Sequence, residues 1–90
     1  MKNIKIKQEK LPEYIENNFK EEATLEISYN RVFIPGKILY IQQEDNNTII
    51  TLQLKGQLLN QVIEININEI LDDIIELRYI DEKEIIITVY

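Results

Sequence analysis

The feature that most restricts this chain is a change in apolar period near residue 23. Before it, Leu11, Ile15 and Phe19 recur every four residues with Tyr14 beside them, the stripe of a helix. After it, Leu25, Ile27 and Tyr29 alternate with Thr24, Glu26 and Ser28, the pattern of a half-buried strand. From there to the C-terminus, short apolar runs alternate with polar turns. A chain of 90 residues with this plan makes one small, mainly β domain of the α+β type, with one N-terminal helix.

The helix is expected over about 11–22. Pro12 fits a first turn, where its missing N–H is not needed, and Glu13 and Glu16 suit the positive end of the helix dipole. Asn3–Lys7 alternates Ile4 and Ile6 with lysines and reads as a short strand. Further strands are expected at about 23–34, 36–43, 48–54, 61–67, 74–79 and 84–90. Asn30-Arg31 offers a turn, Pro35-Gly36 punctuates, and Glu44–Asn47 reads as a hairpin turn, because Asp and Asn tolerate positive φ. Residues 58–78 admit two readings. Leu59, Ile63, Ile67, Ile70, Leu71 and Ile74 line one face of a long helix, whereas Ile63, Ile65 and Ile67 alternate as a strand. Isoleucine and asparagine are weak helix formers, which favours strand, a helical turn at 68–72, then strand. The Lys55–Asn60 loop, with Gly56 and no turn signature, is expected to be the most mobile interior segment.

Composition removes much chemistry. The chain has Cys 0 and His 0, which excludes disulfides, cysteine metal sites, thiol catalysis and the commonest general base. Ser28, Thr24, Thr48, Thr51 and Thr88 are the hydroxyl nucleophile candidates, and none has a histidine partner or sits in a nucleophile-elbow pattern. An enzyme is not expected, and no cofactor is implied. Asn46-Asn47-Thr48 matches a glycosylation sequon but reads as a polar turn. No apolar run approaches a membrane span or follows the charged N-terminus as a signal would, so no membrane association is expected and a cytoplasmic location is the simplest. The 19 isoleucines and 9 asparagines suggest an A/T-rich genome, such as a low-GC bacterium or its phage.

Charge is unevenly placed. The net is −6, but residues 1–10 sum to +3 and the remainder to −9. An acidic body repels phosphate, so direct, tight nucleic-acid binding is not expected; only the N-terminal strip suits a polyanion. Four lysines there also read as protection of a sheet edge against pairing. Glu69, Asp72, Asp73 and Glu76 form the densest acidic cluster, which lacks EF-hand spacing and reads as a solvated turn. Tyr29, Arg31, Phe33 and Tyr40 surround the turn at 30–36, and aromatics with Arg are the usual anchors of interfaces. Tyr29 and Tyr40 are assigned to filling the core, Arg31 and Phe33 to the surface. The partner-contact candidates are Arg31, Phe33 and Tyr40, with Glu69, Asp72, Asp73 and Glu76 as the next face.

The stretch Ile27–Ile41 (ISYNRVFIPGKILYI) resembles the first half of an Sm motif, with Gly36 as its glycine, and the region Leu25–Leu77 resembles small SH3-like and Sm-like barrels. Glu64–Leu77 (EININEILDDIIEL) looks like the ending of the YolD-like family of small bacterial proteins found near lesion-bypass polymerases. The resemblance implies a barrel of five to six short strands and a regulatory partner role in bacterial nucleic-acid processing. RNA-binding Sm-like proteins carry a Tyr-Lys-His-Ala type signature near the last loop; the matching Ile67–Ile70 (INEI) has no base and no aromatic. Three functions follow: a non-catalytic acidic module that binds and modulates a protein partner, a phage or mobile-element inhibitor whose acidic face blocks a nucleic-acid groove, or an Sm-like RNA binder. A homo-oligomer is compatible with each.

Overall fold

A computed structural model describes residues 1–56 and 61–90. Its strands are β1 (Lys2–Ile6), β2 (Thr24–Tyr29), β3 (Val32–Glu44), β4 (Asn47–Leu54), β5 (Val62–Asn66), β6 (Ile74–Ile80) and β7 (Glu84–Val89). Two helices, α1 (Leu11–Asn18) and α2 (Ile67–Ile70), are each joined to a short 3-10 turn, at Gln8–Lys10 and Leu71–Asp73. The strands form one sheet in the order β1-β7-β6-β2-β3-β4-β5. All ladders are antiparallel except β1–β7, which is parallel.

The sheet differs from the expected closed barrel. Among the described residues no ladder joins β5 to β1, so the sheet is open and seven-stranded. The seventh strand is the lysine-rich N-terminus, which joins β7 as an edge; Asn30 and Arg31, at φ 42° and 67°, end β2, and the rest of the expected 23–34 strand runs on into the expected 36–43 strand as β3.

Pro35-Gly36 does not interrupt β3. Ile38 N–H donates to Ala23 O at 2.8 Å, so by alternation the bond Pro35 cannot make would point away from β2, past the end of β4. Gly36 is the joint of the sheet. It pairs with Leu25 of β2 and Leu54 of β4, and a Cβ added there would lie 3.0 Å from Gln53 O and 3.2 Å from Leu52 Cβ. A bulge between Ile38 and Tyr40 then bends β3. The Glu44–Asn47 hairpin forms as expected, with Asp45 and Asn46 both at positive φ.

One face of the sheet makes the core. Leu25, Ile27, Ile38, Ile50, Leu52, Leu77 and Ile87 are fully buried there, with Leu11 and Ile15 of α1 packed in the same cluster. Each such side chain contributes about 1.5–3 kcal/mol by leaving water. The helical stripe thus closes the domain's own core.

Helix α1 stops at Asn18, short of the expected residue 22. Asn17 and Asn18 are weak helix formers, and Asn18 Nδ2 donates back to Tyr14 O at 2.9 Å. Phe19 turns extended (ψ 144°), stacks on Tyr79 with ring centroids 4.5 Å apart and meets Tyr14 edge-on. Residues 62–80 settle as strand, helical turn and strand; the single long helix does not form. Asn66 caps α2 by accepting from Asn68 N–H at 3.0 Å. Residues 57–60, the far part of the loop expected to be most mobile, lie outside the described residues.

Candidate interaction surface

The β2–β3 hairpin carries two exposed apolar side chains, Val32 and Phe33. Its two-residue turn needs positive φ at both positions; Asn30 adopts this readily, whereas Arg31 holds it at a steric cost. Asn30 N–H donates to Asp73 O at 3.3 Å, which ties the hairpin tip to the 3-10 turn before β6. On the sheet face turned away from the core, Phe33 of β3, Ser28 of β2 and Glu76 of β6 stand in one row. Neighbouring strands are about 4.8 Å apart, so Phe33 and Glu76 are separated by about 10 Å with only the small Ser28 between them.

Register shifts at Ser28/Tyr29, where Ser28 pairs with Glu76 but Tyr29 with Ile74. Ile75 is left between them, opposite no residue, and is 59% exposed; Phe33 is 58% exposed. Arg31 and Val32 are exposed beside them. The result is an apolar pair with a guanidinium at one end and the exposed carboxylates of Asp73 and Glu76 along one side.

The structure therefore brings together Arg31, Phe33, Asp73 and Glu76 from the expected set and adds Ile75. The signal for Ile75 was legible: of two adjacent isoleucines on a strand, only one can face the core. Tyr40 does not join them. It lies seven residues along β3 from Phe33, roughly 23 Å at the rise of a strand. The bulge turns it outward against Thr51, so it is 41% exposed and not a core residue. Tyr29, in contrast, packs partly buried against the core. Glu69 also stands apart, at α2, where Asn66 Nδ2 donates to its Oε1 at 3.5 Å. Asp72 is exposed in the 3-10 turn. Among the described residues no three acidic side chains come close enough to share a metal ion.

The next row of the same face is ionic. Arg78 of β6 pairs with Glu26 of β2 at 3.7 Å and with Glu84 of β7, while Lys37 pairs with Glu22 at 2.7 Å. Arg78 thus links β6 to β2 and β7, Lys37 of β3 reaches the turn before β2, and Arg31 is the exposed cation at the hairpin tip. No helix among the described residues is long and apolar enough to cross a membrane.

Residues 2–89 match the family described as an uncharacterized protein conserved in archaea (DUF2097). The chain belongs to that family. Comparison with curated proteins and with solved structures returns no match. Membership in the DUF2097 family, conserved in archaea, overturns the YolD-like resemblance. The Sm-like likeness, carried by Ile27–Ile41 with Gly36 as its glycine, does not extend to the architecture, which is an open seven-stranded sheet and not a barrel of five to six strands. The bias to isoleucine and asparagine speaks of codon usage and does not choose between lineages.

Proposed function

We propose that this protein is a non-catalytic, acidic interaction module that binds and modulates a protein partner through the tip of the β2–β3 hairpin. One observation carries the reading: Phe33 and Ile75, each more than half exposed, stand on the two strands that flank β2 at the hairpin end of the sheet, near Arg31. Apolar side chains are costly to leave in water, and an aromatic beside an Arg is the composition of an interface anchor. The flanking Asp73 and Glu76 supply a polar rim and favour a partner with basic residues around an apolar pocket. A setting in bacterial nucleic-acid processing came with the YolD-like resemblance and falls with it.

A photo-crosslinking residue at position 33, with the same residue at Gln42 as control, tests this in a native-host lysate. A discrete protein adduct is expected from position 33 and not from position 42. Combining R31A and F33A should weaken binding of the identified partner by about 2 kcal/mol, roughly thirtyfold. The melting temperature should stay put, because neither side chain belongs to the buried core. Adducts from position 42 alone, or unchanged affinity in the double variant, would place the contact elsewhere.

A further inference from the structure

The opposite end of the sheet carries a second surface that the hairpin reading does not use. A groove of about 460 Å³ runs between the free edge of β1 and helix α1. Lys5, Lys7 and Lys10 line it together with Ile6, Tyr14 and Asn17, and Glu13 is the acid among them. In a chain of net charge −6, three of the ten cations thus converge on one cleft.

The backbone of β1 faces the same cleft. Ile6 O accepts from Tyr90 N–H at 3.1 Å, and Gln8 N–H donates to Tyr90 O at 2.7 Å. Even-numbered residues of this segment therefore direct their amides to β7, and by alternation Asn3 and Lys5 direct theirs to the open side. Among the described residues β1 has no neighbour on that side. Five residues of strand make an edge about 17 Å long.

We propose that this edge receives an acidic, extended peptide segment of another protein as an eighth strand. Its backbone would pair with Asn3 and Lys5, and its carboxylates would meet Lys5, Lys7 and Lys10. Lysines on an edge strand usually block pairing, but the block is specific in sign. It repels a second β1 and any basic strand, and it attracts an acidic one. The alternate side chains of the guest would lie toward Ile6 and Tyr14. Nucleic acid fits less well, since the −9 carried by residues 11–90 opposes a long polyanion while a short segment is held within the groove.

The probe is a capped hexapeptide of alternating Glu and Val, titrated against the 90-residue protein and followed by amide chemical shifts and fluorescence polarisation. Saturable binding is expected, with shifts confined to residues 3–7 and 10–18. Combining K5E, K7E and K10E should weaken it about tenfold, the summed effect of three exposed ion pairs, while the matched arginine variant keeps it. N-methylation of the guest's edge-facing amides should abolish it, a result that charge attraction alone would not produce. The proposal is overturned by equal binding of a Lys-Val peptide, by shifts centred on Phe33 or Ile75, by tighter binding of an oligonucleotide at physiological salt, or by peptide-independent dimerisation through β1. Because R31A and F33A leave the groove untouched, peptide binding by that variant separates this site from the hairpin surface.

Discussion

Substituting Ala for Gly36 separates two readings of Pro35-Gly36. If the pair were a turn, an added methyl would be free, and removing a flexible glycine would stabilise the fold by about 0.5–1 kcal/mol. In the structure Gly36 is buried in β3 at the point where β2 and β4 both pair with it. The new Cβ would sit 3.0 Å from the Gln53 carbonyl oxygen and 3.2 Å from Leu52 Cβ. Neither contact is the end of a flexible side chain, so the β3–β4 ladder must open by a few tenths of an ångström. Overpacking of this kind costs typically about 1–3 kcal/mol. It outweighs the entropic gain, for a net loss of about 1 kcal/mol. For a 90-residue domain that loss lowers Tm by about 4–8 °C. The assay is a thermal melt by far-UV circular dichroism, with urea denaturation to check that the m-value is unchanged. A G36A protein that melts at or above the parent temperature would refute the joint.

Two more predictions concern ionisable groups. Y79F keeps the stacking on Phe19 but loses the phenol oxygen that accepts from Lys20 N–H at 3.0 Å, so it should cost about 0.5–1.5 kcal/mol in chemical denaturation at neutral pH. Burial, above all, raises the Tyr79 pKa from its ordinary value, so the stability this adds is present below pH 10 and is lost as pH rises through the raised value. Y79F should lack that part of the alkaline limb in a pH-stability profile. Asp81 is held below the usual carboxylate range, first by Lys83 N–H, which its Oδ1 accepts at 2.9 Å. A lowered pKa adds stability above the ordinary value near 4, lost as pH falls through the lowered one, so D81N should flatten the acid limb and an unchanged slope would count against the turn geometry.

Different physics made some elements legible and hid others. The α1 stripe, the Glu44–Asn47 turn and the strand–turn–strand at 62–80 were readable because each depends on local period or on local backbone tolerance. The end of α1 was not read correctly: Asn17 and Asn18 weaken the helix locally, and the extended Phe19 that follows gains a stacking partner in Tyr79, sixty residues away in sequence, which no local pattern announces. Pro35-Gly36 misled in the same way. A proline and a glycine break a strand only where the lost donor and the missing side chain are needed, and the neighbouring strands decide that. Phe33 and Arg31 were correctly placed at the surface by the turn beside them. Tyr40 was not, because a bulge after Ile38 turns it to the outer face, which no local pattern in the sequence announces.

The open sheet also explains the division of charge. A closed barrel has no edges to defend, whereas this sheet has two, and they differ in kind. The β1 edge is lysine-rich. The β5 edge carries Val62 and Glu64, both exposed, and runs straight into the Asn66 cap of α2, which ends the strand. Like edges of two copies repel at β1, where lysine would face lysine. Unlike edges attract, and a β1-to-β5 contact is heterologous, so repetition would build an open-ended filament. The acidic surface of residues 11–90 and the early capping of β5 work against that outcome. A β1 edge that is basic inside an acidic molecule is thus closed to copies of itself while remaining open to an acidic strand from another chain. Salt separates the two surfaces: at the β1 edge screening relaxes the repulsion between copies and weakens an acidic guest together, whereas the contact of Phe33 and Ile75, being apolar, should persist.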